Sequence, residues 1–389
     1  MEGNNQMKYR KLGKTNLQVS EIGFGCTHFP TTTQVELNKI FEIGIEAGMN
    51  FLDVCISAPE QRDKIGNAIF EHREKLIIQG HIGLTMEDGQ YARTQEYDKS
   101  IIHINDLLKR LNTDYLDIVM LHCIDQIEEY ENAVKNGVLD YMLEQKEKGI
   151  YKYLGFSSHE PSVASKMVKS GHFDVVMFSI CPVFDFVFSD MDKWFDMGEN
   201  DAYPKGLHID ERRANFYKLC EEKGIGIIVM KALAAGGLVT DIGSPFGKAM
   251  TVPQCIHYAL NRPAVGSVFI GFEKAEQLDD ALAYCKTSEK DLDYSHILNH
   301  VTGSITKKCL YCNHCLPCPS KINIGAVTKI LDMGNINGVS ETLSADYKKQ
   351  MSNASECIKC GLCVKRCPFG IDVIKNMKTV KEMFKKKDK

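Results

Sequence analysis

The chain has 389 residues, 44% of them hydrophobic and 25% charged, with a formal net charge of −4. That is the composition of a globular protein, long enough for one large barrel and a small appendage. It has no apolar run of about eighteen residues to span a membrane and no apolar stretch of a signal peptide in "MEGNNQMKYRKLG". Fifteen cysteines in what reads as a cytoplasmic protein therefore point to metal ligation rather than a disulfide framework.

In chain order, "VSEIGFG", "MNFLDVCI", "KLIIQGHIG", "YLDIVMLH", "YKYLGFSS", "FDVVMFSI", "GIGIIVMK" and "AVGSVFIG" read as strands, each followed by a longer amphipathic stretch. In the first of these stretches Val35, Ile40, Ile43 and Ala47 fall at roughly helical spacing before Gly48. Strict alternation predicts an α/β fold, a parallel (β/α)8 TIM barrel over residues 1–292. An open doubly wound sheet would carry Gly-x-Gly-x-x-Gly after its first strand, and "GFGCTHFP" lacks the third glycine. The long excursion "CPVFDFVFSDMDKWFDMGENDAYPKGLHID", with the sole tryptophan Trp194, is expected to fold over the barrel mouth. Residues 293–389 read as a separate, small α-helical domain whose central spacer forms two helical pieces.

That second domain carries "CLYCNHCLPCP" and "CIKCGLCVKRCP". The run Cys357, Cys360, Cys363, Cys367 has the Cys-x2-Cys-x2-Cys-x3-Cys-Pro spacing that wraps an iron–sulfur cube, with the fourth cysteine crossing to the other cluster in two-cluster proteins. The run Cys309, Cys312, Cys315, Cys318 is one residue shorter before its last cysteine but loses no ligand. Two [4Fe–4S] clusters are therefore expected in a ferredoxin-like domain, one on Cys309, Cys312, Cys315 and Cys367, the other on Cys357, Cys360, Cys363 and Cys318. Structural zinc uses two separated Cys-x2-Cys pairs, which neither run shows. From residue 301 onward sixteen Lys/Arg face seven Asp/Glu. This basic end is either a solvated terminus or a landing patch for an acidic electron-carrier protein, a ferredoxin or flavodoxin. No nucleic-acid motif accompanies it.

The first 290 residues resemble an aldo/keto reductase. "YRKLGKTNLQVSEIGFGC" is similar to that family's barrel-plugging hairpin and first strand, "YLDIVMLHCID" to its fourth strand, "YLGFSSHEP" to its fifth, "GIGIIVMKALAAGGL" to its seventh, and "VFIGFEKAEQLDDAL" to its cofactor-phosphate loop. With the cysteine runs, the chain resembles a branch with a C-terminal dicluster domain. The resemblance implies carbonyl reduction by a nicotinamide hydride, with a tetrad of Asp, Tyr, Lys and His. Asp53 and His122 fit the aspartate and histidine, but Ala58 stands at the tyrosine position and His81 at the lysine position. The implied NADP(H) or NAD(H) site keeps Lys231, Gly271, Gln277 and Asp280. It reads Ser157-Ser158 for Ser-Asn and has Met177, Ile180 and Ala281 where the family has glutamine, an aromatic and asparagine.

His28, Asp53, His81 and His122 thus gather polar groups at strand ends, where barrel catalysis sits. Cys26, Cys55 and Cys123 also lie at or near strand ends. An Asp53–His81 pair favours an imidazolium able to donate a proton. Three function classes follow: an iron–sulfur oxidoreductase acting on a small organic substrate, a divalent-metal enzyme using Asp53, His81 and His122, or a non-catalytic electron-transfer protein.

Overall fold

Eight parallel strands close into a barrel, each paired with the next in chain order: β3 (Ile22–Gly25), β4 (Phe51–Val54), β5 (Ile77–Ile82), β8 (Leu116–Leu121), β9 (Tyr151–Ser158), β10 (Val175–Ser179), β11 (Gly226–Met230) and β12 (Val265–Gly271). The computed structural model describes residues 6–27, 29–186, 209–298, 309, 311–350, 352–367 and 369–385. The described residues form two units. One runs to Thr85 and from Arg93 to 298; the other holds Met86–Ala92 and the residues from 309 onward. His28 and most of the excursion after β10, with Trp194, lie outside the described residues.

The strands are buried on both faces, which is why they read as nearly unbroken apolar runs. Phe51, Met120, Val175, Met177, Ile228 and Phe269 fill the interior. Leu12 and Val19, from the antiparallel hairpin β1 (Tyr9–Lys11) and β2 (Gln18–Ser20), join the same cluster. The ring closes where β12 meets β3, with Val268 opposite Ile22 and Gly271 opposite Gly25. A Cβ on Gly23 would lie 2.5 Å from the Phe269 ring, so the seam requires glycine there.

The first helix, Gln34–Glu46, is capped by Thr33, whose side chain accepts from the Glu36 N–H. It buries Leu37, Ile40, Phe41 and Gly44, while Val35 and Ile43 are exposed. The expected stripe was therefore rotated: Gly44 marks the true face, because it lets the helix approach the Phe24 ring. A second difference is the hairpin β6 (Leu84–Glu87) and β7 (Gln90–Arg93), absent from the predicted strands. It turns on Asp88 and Gly89, both at positive φ, the Asp-Gly signal of a two-residue turn.

The chain leaves the described barrel at Phe186 and returns at 209. Both ends are fixed by Asp185, which is fully buried. Its carboxylate accepts from Arg213 Nε at 2.9 Å, Tyr217 at 2.5 Å and Tyr258 at 2.7 Å, and its carbonyl accepts from the Asp210 N–H at 2.8 Å.

In the second unit the helices Ile324–Asn337, Glu341–Lys348 and Val373–Lys385 enclose a core that includes Val327, Leu331, Leu343, Met377 and Val380. Among the described residues no helix is long and apolar enough to cross a membrane.

Asp185→Ala would strand the buried Arg213 charge, and removing one partner of such a pair costs roughly 3–5 kcal/mol. Tyr258→Phe removes one hydrogen bond to a charged acceptor and should cost less, about 1.5–3 kcal/mol. Denaturant unfolding followed by circular dichroism checks both values and their order.

Candidate functional site

Parallel closure brings every barrel strand's C-terminal end to one rim, so residues at those ends meet in strand order. On β4, Asp53 is 2% exposed. On the neighbouring β5, Gln79 and His81 both point at it: Gln79 Nε2 donates to Asp53 Oδ1 at 2.7 Å, and His81 Nε2 lies 2.8 Å from the same oxygen. His122, the first residue after β8, continues the line, its Nδ1 2.9 Å from His81 Nδ1. Asp53, His81 and His122 therefore form one continuous hydrogen-bonded chain across three strands. Gln79 Oε1 is buried and makes no hydrogen bond among the described residues.

Both ring nitrogens of His81 are engaged in that chain. A two-histidine, one-carboxylate ion site would need one of them, so the geometry favours proton handling over ion binding by this trio. Burial pushes the His122 imidazole well below the ordinary histidine range, and His81, Arg93, His159 and Lys231 nearby push it further. His122 is thus held in its neutral form.

A second chain lies further round the rim. His159 follows β9, and its Nδ1 is 3.0 Å from Asp125 Oδ2. Lys231, just past β11 at φ 63°, places its Nζ 2.6 Å from His159 Nε2. Burial works against the Asp125 charge, yet His159 and Arg93 hold that carboxyl well below its usual range. Burial and Lys231 lower the His159 pKa against the pull of Asp125. The arrangement is an ionised carboxylate, a neutral imidazole and an ammonium in series. Arg93 braces the loop, donating to the Cys123 carbonyl at 2.8 Å and pairing with Glu129 at 3.2 Å.

The residues expected to hold a nucleotide are dispersed among these contacts. Ser157 Oγ accepts from the Cys123 N–H at 2.7 Å, and Ser158 Oγ lies 3.2 Å from Asp125. Gly271 ends β12. Gln277 Oε1 accepts from the backbone N–H groups of Glu273 and Lys274, at 2.6 and 3.1 Å. Asp280 is exposed. Asp125, His159, Gln79 and Arg93 escaped the sequence reading, although Asp125 and His159 stand in "LHCID" and "YLGFSSHEP", directly beside residues that were singled out.

In the second unit none of the eight run cysteines is joined in a disulfide. Cys318, Cys357, Cys360 and Cys363 line one cleft with apolar walls that include Ile322, Ile324, Val373 and Met377. Burial pushes the Cys363 thiol up to about 11, and Cys357, Cys360 and Cys318 raise it too. Burial likewise pushes Cys309 up to about 12, with Cys312 and Cys367 as the thiols that add to the rise. Thiols from both runs thus lie near one another in the fold. Unpaired thiols converging on an apolar cleft are the donor set and setting that fit an iron–sulfur cluster. Gln90 holds this region from the hairpin tip: its side chain donates to the Cys318 carbonyl at 3.0 Å and accepts from the Cys318 N–H at 3.1 Å.

Residues 21–249 match the model of the aldo/keto reductase family. The chain belongs to that family. Residues 308–372 match a 4Fe-4S dicluster domain, so this aldo/keto reductase carries an iron–sulfur domain at its C-terminal side. It is similar to the uncharacterized oxidoreductase YqkF of Bacillus subtilis, 28% identical over 287 residues, 70% of this chain and 89% of that one. It is also 28% identical to the L-glyceraldehyde 3-phosphate reductase of Escherichia coli O157:H7 over 180 residues, 43% of this chain and 50% of that enzyme. The holo form of an aldo-keto reductase from Bacillus halodurans shares the fold, with a TM-score of 0.59 and 20% identity over 78% of this chain and 99% of that one. The barrel is therefore an oxidoreductase barrel of the aldo/keto reductase type.

Two buried neutral histidines set a pH dependence for this barrel. His122 and His159 have lowered pKa values in the fold, so below the unfolded value of about 6.5 the unfolded chain binds more protons than the native one. Their contribution is whole above that value and is lost as pH falls. Thermal unfolding should shift to lower temperature between about pH 7.5 and pH 5.5, and His159→Gln should flatten the dependence.

Proposed function

We propose that this aldo/keto reductase is an iron–sulfur oxidoreductase with an altered tetrad, acting on a small organic substrate with electrons relayed through two [4Fe–4S] clusters. The observation that carries the reading is the Asp53–His81–His122 chain, running where the family's tetrad belongs while Ala58 stands at the proton donor's position. In the loaded state His81 is doubly protonated, donating to Asp53 and to His122 Nδ1. His122 then offers its Nε2 proton to the substrate. As that proton leaves, the His81 Nδ1 proton moves to His122 Nδ1. Both states keep every hydrogen bond of the chain, so one proton is delivered with little rearrangement. Asp53 stabilises the imidazolium of the loaded state, and Gln79 fixes the carboxylate. His122, 7% exposed against 2% for the other two, is the member nearest solvent.

Cys309, Cys312, Cys315 and Cys367 would hold one cluster, and Cys318, Cys357, Cys360 and Cys363 the other. When bound, the clusters supply single electrons. Cys360 is exposed, and Lys359, Lys365, Ile358 and Leu362 beside it are exposed as well. A basic surface with apolar points suits an acidic ferredoxin or flavodoxin. The residues left for NADP(H) or NAD(H) fit a dinucleotide poorly. Ser158 and Lys231 are drawn into the Asp125–His159 chain, and Gln277 is spent on its own loop. No step is assigned to that cofactor.

Protein purified anaerobically should contain about eight iron and eight sulfide per chain, two cubes of four. Cys318→Ser should damage the cluster of the second run, seen by electron paramagnetic resonance of the reduced protein. Stoichiometric zinc without sulfide on these cysteines removes the electron-relay part of the reading.

The relay is tested with a panel of aldehydes and ketones, using reduced methyl viologen or NADPH as the electron source. NADPH-linked aldehyde reduction should be weak. His81→Ala should lower viologen-linked turnover by roughly 10²–10⁴-fold, the contribution of general acid catalysis. Fast NADPH-linked reduction that survives His81→Ala unchanged would show that the histidine chain does no chemistry.

A further inference from the structure

Three groups at the rim stand outside the proton relay except for one shared carboxylate. Cys26 is the residue after β3 and Cys55 the residue after β4, and these strands pair with Gly25 opposite Asp53. The two sulfurs therefore arrive side by side, 3.4 Å apart. The Cys55 N–H donates to Cys26 Sγ at 3.1 Å. One donor atom from each of Cys26, Asp53 and Cys55 lies within 4.8 Å of the others. Asp53 Oδ1 is already oriented by Gln79 and His81, the kind of outer support that ligating carboxylates have.

We propose that Cys26, Cys55 and Asp53 form a zinc site at the barrel rim, with its fourth position open. Two sulfurs and one carboxylate oxygen are soft enough for zinc and wrong for magnesium or calcium. Three protein ligands with an open position is the pattern of catalytic rather than structural zinc. Binding would expel the two thiol protons, leaving two thiolates on the ion. Asp53 has a second oxygen for the ion while Oδ1 keeps its two donors. Cys55 is half-buried, whereas Cys26 is fully buried, so the open position faces out from the Cys55 side. With no tyrosine at Ala58, an ion here would polarise a carbonyl oxygen and His122 would supply its proton. That role rests on the altered-tetrad reading; the binding of the ion does not.

The test uses full-length protein isolated anaerobically. Elemental analysis should find about one zinc per chain beside the iron. X-ray absorption at the zinc edge should show sulfur neighbours at about 2.3 Å and an oxygen at about 2.0 Å. Cys26→Ala with Cys55→Ala should remove the zinc and leave iron, sulfide and the cluster spectrum unchanged. Zinc retained by that double variant places it on the cluster cysteines and overturns the proposal. So does wild-type protein that takes up no zinc when it is supplied, or thiol counting that finds Cys26 and Cys55 joined as a disulfide in the anaerobic protein. If the double variant does not fold, alkylation of wild-type Cys55 read by mass spectrometry decides: zinc should protect it and a chelator should expose it, and equal labelling overturns the site. A zinc-free protein whose turnover still collapses in His81→Ala loses the ion and keeps the relay.

Discussion

Closing eight strands into a ring leaves little room inside, and that scarcity governs the rest of the barrel. Phe51 and Phe269 pack at 4.7 Å between ring centroids in the interior, against the inward face of Gly23. With the ring closed by that fit, the order of strands fixes the order of chemistry. Going round, β3 and β4 bring Cys26 to Cys55, β4 and β5 bring Asp53 to Gln79 and His81, and β5 and β8 bring His81 to His122. Then β8 and β9 bring Cys123 to Ser157 and Asp125 to His159, and Lys231 follows β11. Apart from the brace from Arg93 on the hairpin, the polar contacts described for the site join residues at neighbouring strand ends or one strand further on.

The two hydrogen-bonded chains share a plan and differ in their ends. Each begins at a carboxylate with hydrogen-bond partners placed around it. Each passes through an imidazole, the side chain that can both give and accept a hydrogen bond. The Asp53 chain ends on a second imidazole, which suits it to moving a proton. The Asp125 chain ends on an ammonium, which suits it to holding a positive charge in a fixed place. The long-range effect of Lys231 and Arg93 on His122 links the two electrostatically.

The barrel was legible because parallel strands buried on both faces leave apolar runs that nothing else in the sequence imitates. The 4Fe-4S dicluster domain was legible because the spacing of its cysteine runs is set by the geometry of such clusters. The histidine chain was half legible: Asp53, His81 and His122 could be placed at strand ends, but that His81 spends both nitrogens is a matter of side-chain rotation. Asp125 and His159 meet across two strands with no spacing rule to announce them. The β6–β7 hairpin was missed for another reason: "LTMEDGQYAR" is short and only partly apolar, and its Asp-Gly turn was the one available sign. The helix face was misread at Val35 and Ile43 because apolar residues outnumber the positions the sheet can cover.

That hairpin has a consequence in time. Gln90 and Cys318, which grip each other through a pair of hydrogen bonds, are 228 residues apart. At roughly 5–20 residues per second of synthesis, the first half of the clasp leaves the ribosome on the order of ten seconds or more before the second half exists. Gln90 is made long before the partner it grips. A shortened gene that stopped before the cysteine runs would leave the Gln90 amide without its Cys318 partner. The iron–sulfur unit is therefore not one continuous stretch of sequence: Met86–Ala92, between β5 and β8 in the linear map, belongs to it as well.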